Sequence, residues 1–184
     1  DWQRDDTRTV LKKIHAADGL PGVLDTLCGE AYYLFDACAE DTLRGTQPGE
    51  IIAQRNGAIC RATTDGAVWI GHVKRKTEEK ERYCRSATCC AISLDRPTSR
   101  APTKYEGYNE LFGLKLPAAL ALERYLGGVP EIPLDPFSPC PGETWRDIWF
   151  EQKNNVGYLH FDFYNGAMSS EQCERLREAY RATG

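Results

Sequence analysis

The stretch Asn165-Gly166-Ala167-Met168 is the part of this sequence best suited to hold a ligand. Gly166 and Ala167 carry almost no side chain, so the backbone there can come close to a bound group. Ser169 and Gln172 follow at capping-box spacing, and the start of a helix offers free N–H groups to an acceptor. A plain strand-to-helix turn uses the same residues, since Asn-Gly is common in turns. These four positions are the candidate binding site, and no residue is assigned a catalytic or metal-binding role.

Other reactive side chains are scattered. His15, His72 and His160 lie far apart and follow no ligand spacing. His72 is read as a packed or hydrogen-bonded side chain because no carboxylate partner is visible beside it. His160 is read as packed, Trp69, Trp145 and Trp149 as core, and Asp65 as a turn residue. Cysteines stand at 28, 38, 60, 84, 89, 90, 140 and 173, with one close cluster at Cys84, Cys89 and Cys90 and no C-x-x-C pair. A zinc ribbon or thioredoxin-type motif is therefore unsupported, and reduced thiols are expected, ahead of disulfides.

The elements that must position these residues come from patterning. Residues 7–17 repeat apolar groups at helical spacing (Val10, Leu11, Ile14, Ala17), capped by Asp6 or Thr7 and stopped by Gly19 and Pro21. Tyr32-Tyr33-Leu34-Phe35 suggests a short strand. Residues 51–55 and 58–63 flank Asn56-Gly57, a hairpin signal because both turn positions need positive φ, and Asp65-Gly66 is read as a second such turn. Residues 67–73 are a central strand, with Trp69 and Val73 on one face and Val68, Ile70 and His72 on the other. The run from Lys74 to Arg82 is a mixed-charge loop that could touch a phosphate; residues 89–94 suggest another strand and 95–109 a loop. A helix is expected from about 117 to 126, with Leu120, Leu122 and Leu126 inward. Five prolines between 130 and 141 then make 127–144 an extended linker. Beyond it, residues 147–152 and 156–163 form a hairpin around Asn154-Asn155, with Leu159, Phe161 and Phe163 on one face. A helix from 170 to about 182 follows, with a Cys173, Leu176 and Tyr180 stripe.

The chain has 184 residues, 41% hydrophobic and 27% charged, with 23 basic against 27 acidic side chains and a net charge of −4. That balance is globular and too acidic for a general nucleic-acid binder. No apolar run reaches the roughly 18 residues of a membrane span, and the polar start Asp1-Trp2-Gln3-Arg4 is no signal peptide. A cytoplasmic location is expected, with neither nucleic acid nor membrane as a partner. Residue 1 is Asp, and a hairpin plus one helix rarely make a core, so an internal fragment of a larger protein is expected.

Three stretches carry a family resemblance. Residues 11–23 (LKKIHAADGLPGV) look like the connection between the two domains of formyltransferases that use 10-formyltetrahydrofolate. Residues 48–75, from PGEI to TDGAVWIGHVKR, look like the small OB-like C-terminal domain of those enzymes. Residues 158–169 (YLHFDFYNGAMS) look like the opening of a crotonase, or enoyl-CoA hydratase/isomerase, domain. In this order they resemble the HoxX-type NiFe-hydrogenase maturation family, outside about 76–108.

The resemblance implies an α+β chain: a small OB-like β-barrel with flanking helices, a Pro-rich linker, then the β-hairpin–helix start of a crotonase-like α/β domain. The implied divisions are 1–47, a connecting helix and linker from a preceding formyltransferase domain; 48–126, the OB-like domain; 127–144, the linker; and 145–184, the truncated crotonase start. It implies a parent that passes a formyl group from 10-formyltetrahydrofolate to coenzyme A and decarbonylates formyl-CoA to the carbon monoxide ligand of the hydrogenase. The implied partners are the flanking domains in cis and the assembly pathway of the hydrogenase large subunit. Asn165, Gly166, Ala167 and Met168 then occupy the segment that meets coenzyme A in crotonase domains. The family's formyltransferase residues would precede Asp1 and its decarbonylating residues would follow Gly184, so this span is expected to be inactive alone. The alternatives are a non-catalytic binding or scaffold module, and the remnant of a sugar-nucleotide formyltransferase; the second would keep the barrel but not residues 158–169.

Overall fold

The computed structural model describes residues 1–19, 21–76 and 114–183. The charge run beyond Lys76, the Cys84, Cys89 and Cys90 cluster, and the strand and loop expected over 89–94 and 95–109 lie outside the described residues.

Helix α1 (Thr7–Ala16) starts where the Asp6 carboxylate accepts the Thr9 N–H at 2.8 Å, and it buries Val10 and Ile14 against a sheet. The strands are β1 (Val23–Leu27), β2 (Glu30–Glu40), β3 (Ile51–Arg55), β4 (Ala58–Ala62), β5 (Ala67–Arg75) and the short β6 (Leu116–Pro117). They form one six-stranded sheet in the order β1-β2-β5-β4-β3, with β6 also on β5. The named strand pairings are all antiparallel. Beside β5, β4 covers Ala67–Ile70 and β6 continues the same edge at His72 and Val73.

Two expectations change here. The short strand at 32–35 is an eleven-residue strand, β2, paired with β5 from Tyr32↔Arg75 to Glu40↔Ala67. The division at 47/48 therefore falls inside one sheet, because β2 pairs with β5 from across the recognisable hairpin. The barrel is also not closed by strand pairing among the described residues: the path ends at β1 and β3. Those ends do approach, since Leu27 and Ile51 line one cavity and Asp25 on β1 pairs with Arg61 on β4.

Strand alternation fails at one place. Val68, Ile70 and Val73 all join the core beneath α1, while Trp69 joins the opposite cluster with Ala53, Ala58 and Cys60. On β2, Tyr32 and Leu34 face the α1 core, and so does Ala37, an odd step away. Asp36, at φ 58°, sits at this change of face, opposite Gly71, while the pairing resumes in the same register on either side. Each strand spends one residue there, so the faces exchange without a slip. Val73 thus parts from Trp69, contrary to the simple period-2 reading.

Asn56 (φ 47°) and Gly57 (φ 84°) form the expected positive-φ turn. Asp65-Gly66 does not. The β4–β5 loop instead closes when the Thr63 N–H donates to the Gly66 carbonyl at 3.0 Å and the Gly66 N–H donates to Thr63 Oγ1 at 3.0 Å. The helix expected over 117–126 is broken into β6, a short α2 (Ala118–Ala121) and a 3-10 turn (Glu123–Tyr125), with Ala118, Leu122 and Leu126 buried rather than Leu120.

The Pro-rich stretch is extended but docked. Pro130 accepts the Gln54 N–H at 2.9 Å, Ile132 donates to Gln54 at 2.9 Å, and the Asp41 N–H donates to Glu143 at 3.0 Å. Strand β7 (Ile148–Lys153) and β8 (Val156–Phe161) then form a hairpin through Asn154 (φ 50°) and Asn155 (φ 60°). Helix α3 (Ser170–Ala182) opens on the expected capping box. Its inward residues are Leu176 and Ala179, packed with Ile148, Leu159 and Phe163. The expected stripe and strand face are corrected accordingly: Cys173 is exposed, and Tyr180 (71% exposed) and Phe161 (58%) face solvent. No helix among the described residues is long and apolar enough to cross a membrane.

Candidate functional site

The change of strand face at Asp36 builds the most elaborate polar cluster of the molecule. A left-handed conformation at a non-glycine residue inside a strand costs about 1 kcal/mol or more, and such strain concentrates where geometry serves a purpose. Here it turns the Asp36 carboxylate toward His72, whose Nδ1 lies 2.8 Å from Asp36 Oδ2. The Asp36 N–H donates to Asp18 Oδ1 at 2.8 Å, so the loop after α1 secures the turn. Gly71 makes room: a β-carbon there would overlap both Asp36 Oδ2 and the Trp145 ring. His72 therefore has the carboxylate partner that sequence reading did not find. Asp36 lies 36 residues away, and its only sequence signal is a lone acid in the apolar run Tyr32–Ala39.

The His72 ring stacks on Tyr164, with centroids 4.5 Å apart and planes inclined by 25°. Lys115 Nζ donates to Tyr164 Oη at 2.7 Å and lies 3.7 Å from the centre of the Phe35 ring. It also donates to the carbonyls of Asp18 and Gly19 at 3.3 and 3.4 Å. Five separate chain segments thus meet at Tyr164: the loop after α1, β2, β5, the approach to β6, and the turn after β8.

That turn carries the candidate binding residues. Tyr164–Gly166 is a single 3-10 turn, with Asn165 at φ 55° and Gly166 at φ 68°. The Gly166 N–H donates to Phe163 at 2.8 Å and the Ala167 N–H to Tyr164 at 3.3 Å. Asn165, Gly166, Ala167 and Met168 are all exposed. Gly166 is required for its positive φ, and among the described residues no atom beyond its chain neighbours lies within 4 Å of where its β-carbon would stand. The capping box satisfies Ser169 and Gln172, with Ser169 N–H to Gln172 Oε1 at 2.9 Å and Gln172 N–H to Ser169 Oγ at 3.1 Å. The N–H groups of Ser170 and Glu171, in the first turn of the helix, have no intrahelical acceptor. The structure brings the four residues onto one exposed turn and roots that turn on His72 through Tyr164.

A second network binds the linker to the other face. Glu40, 2% exposed, accepts the Thr42 N–H (2.7 Å), the Thr42 hydroxyl (2.6 Å), the Leu43 N–H (3.1 Å), the Trp69 indole N–H (2.7 Å) and the Thr144 hydroxyl. Burial pushes its carboxyl up, but the hydrogen bonds from Thr144, Thr42 and Trp69 outweigh it and hold it down at about 2. Arg55 lies over Trp69 at 4.7 Å and donates to the carbonyls of Ile132 (2.6 Å) and Trp145 (2.9 Å) and to Thr144 Oγ1 (2.8 Å). Trp69 is core, as expected. Trp149 instead stacks half-exposed on His160, with centroids 5.0 Å apart, so His160 packs on a surface ring. Burial pushes the Cys38 and Cys60 thiols up to about 12, which keeps them protonated and unreactive.

This architecture has known counterparts. The formyl transferase C-terminal domain model matches residues 1–87, which take in α1 and β1 to β5. The match begins before β1, so it takes in the strands that sequence reading placed in a connecting segment. Over 182 residues the chain is 38% identical to hydrogenase maturation factor HoxX from Bradyrhizobium diazoefficiens, covering 99% of this chain and 25% of that protein. The crystal structure of HypX from Aquifex aeolicus in complex with tetrahydrofolic acid matches the whole chain with a TM-score of 0.78 and 37% identity. A multiply substituted variant of the same protein matches equally, at 0.78 and 37%. The chain resembles a formyl transferase C-terminal domain over residues 1–87, carries a hairpin and helix beyond it, and spans about a quarter of the length of these relatives.

Proposed function

We propose that this chain is the middle of a HoxX-type maturation protein acting in the cytoplasm, where it joins a folate-dependent formyltransferase domain to a crotonase-like domain. Similarity that runs unbroken across both the sheet and the hairpin–helix unit carries this reading. A sugar-nucleotide formyltransferase would share only the sheet. In the proposed parent, a formyl group passes from 10-formyltetrahydrofolate to coenzyme A, and decarbonylation of formyl-CoA supplies the carbon monoxide ligand for the large subunit of a NiFe-hydrogenase. The flanking domains act in cis and hold the reacting groups.

The role read for this span is to hold those domains in register and to present Asn165, Gly166, Ala167 and Met168 to coenzyme A. Two observations support the fit: the turn is exposed, and among the described residues nothing fills the space beside Gly166. Coenzyme A supplies a thiol to accept an acyl group; this chain's part is binding and orientation. The test incubates the longer protein with 10-formyltetrahydrofolate and coenzyme A and follows carbon monoxide by its spectral signature on ferrous haemoglobin. Gas is expected from the longer protein and none from residues 1–184 alone. Gas from this span alone, or none from the longer protein, rejects the reading.

A further inference from the structure

We propose that His72 and Tyr164 are positioning residues for the 165–168 turn, with Asp36 fixing the imidazole on which Tyr164 rests; this rests on the reading of that turn as a coenzyme A contact. The turn has little support of its own. Its four residues are exposed, and Gly166 has no neighbour on its open side. Helix α3 behind it is held to the hairpin by Leu176 and Ala179, well along the helix from the turn. What ties the turn to the sheet is the Tyr164 side chain, stacked on His72 at 4.5 Å and bonded to Lys115 at 2.7 Å.

The seat is built with care on the sheet side. An imidazole can rotate about its Cβ–Cγ bond, and Nδ1 bonded to Asp36 Oδ2 at 2.8 Å removes that freedom. Asp36 reaches His72 only from a left-handed backbone opposite a glycine, and its N–H is held in turn by Asp18. A strained residue, a glycine with no space for a methyl group and a buttressed histidine converge on one ring face, and that face carries Tyr164. A site that must hold its ligand groups to within a fraction of an ångström is supported in this way by side chains behind it. Through this contact the formyl transferase domain sets where the turn stands.

The experiment uses the longer protein, with coenzyme A and tetrahydrofolate as calorimetric probes. Y164A and H72A are expected to weaken coenzyme A about tenfold, the scale of a lost aromatic pair plus added turn freedom, and to leave tetrahydrofolate affinity unchanged. H72F keeps a ring under Tyr164 but loses the bond to Asp36, so it is expected to bind coenzyme A more tightly than H72A and less tightly than the parent. His72 lies in a central strand, so Y164A, in a surface turn, reads the same contact without disturbing the sheet. Equal weakening of both probes, or H72F as weak as H72A, overturns the proposal. A167W separates it from the reading beneath it. If A167W abolishes coenzyme A binding while Y164A and H72A bind normally, positioning alone falls. If A167W also binds normally, the turn is not the contact and both fall.

Discussion

Asp36 and Gly71 face each other across β2 and β5 as the one point where both strands exchange faces. The carboxylate of one occupies the space that a side chain on the other would need. G71A is therefore expected to cost about 1–3 kcal/mol in urea unfolding, as an overpacked core site does. It should also displace Asp36 and free the imidazole. Nitrogen chemical shifts of His72 should then change as they do in D36N, and the G71A/D36N double variant should lose less than the two single losses added. Full additivity would mean that the glycine does not serve the carboxylate.

Glu40 gives the fold an acid-sensitive point. Its carboxyl ordinarily titrates near 4.5 and is held at about 2 in the folded chain, so its contribution is fully present above about pH 5 and lost as the pH falls toward 2. E40Q places amide hydrogens among five donors and is expected to cost about 1–3 kcal/mol at neutral pH. The gap between parent and E40Q should narrow steadily below pH 5. A gap independent of pH would show that the charge of Glu40 is not what these donors stabilise.

Arg55 holds the Pro-rich stretch against the sheet through three bonds from a single guanidinium. Lysine lacks the planar guanidinium fork that aims donors at these three acceptors, so R55K is expected to lose about 1.5–3 kcal/mol. Cleavage by a broad-specificity protease should move to residues 130–145 before the sheet opens. An unchanged digestion pattern would show that the prolines dock without Arg55.

Arg175 on α3 grips Asp147, which is 3% exposed, through Nη1 to Oδ1 at 2.8 Å and Nη2 to Oδ2 at 2.5 Å. Asn56 adds a bond to Asp147 Oδ1 at 3.2 Å, which joins the β3–β4 turn to the hairpin–helix unit. R175M leaves a buried carboxylate without its cation and is expected to cost about 3–5 kcal/mol, seen as rapid amide exchange in α3. R175M/D147L removes both charges and should recover most of the loss. A double variant no better than R175M would place the stability in Asn56 and packing instead.

Local chemistry made several features legible in the sequence. Asp6 before an apolar helical repeat fixed α1, Asn56-Gly57 fixed its hairpin, Asn154-Asn155 fixed the second, and Ser169 with Gln172 fixed the start of α3. Each rests on bonds or dihedrals within a few residues, which a linear reading can inspect. Patterning also put Trp69 in the core and the candidate turn at 165–168. Only the tertiary structure decided that β2 runs eleven residues and belongs to the six-stranded sheet, because its partner β5 is some thirty residues downstream. It alone showed that the Pro-rich stretch is docked, since the carbonyls of Pro130 and Ile132 are held by Gln54 and Arg55 from another strand. The seat of Tyr164 was likewise hidden. Asp36, His72 and Lys115 are far apart in sequence, and what joins them is a left-handed residue in a strand, a conformation that tertiary packing imposes against local preference.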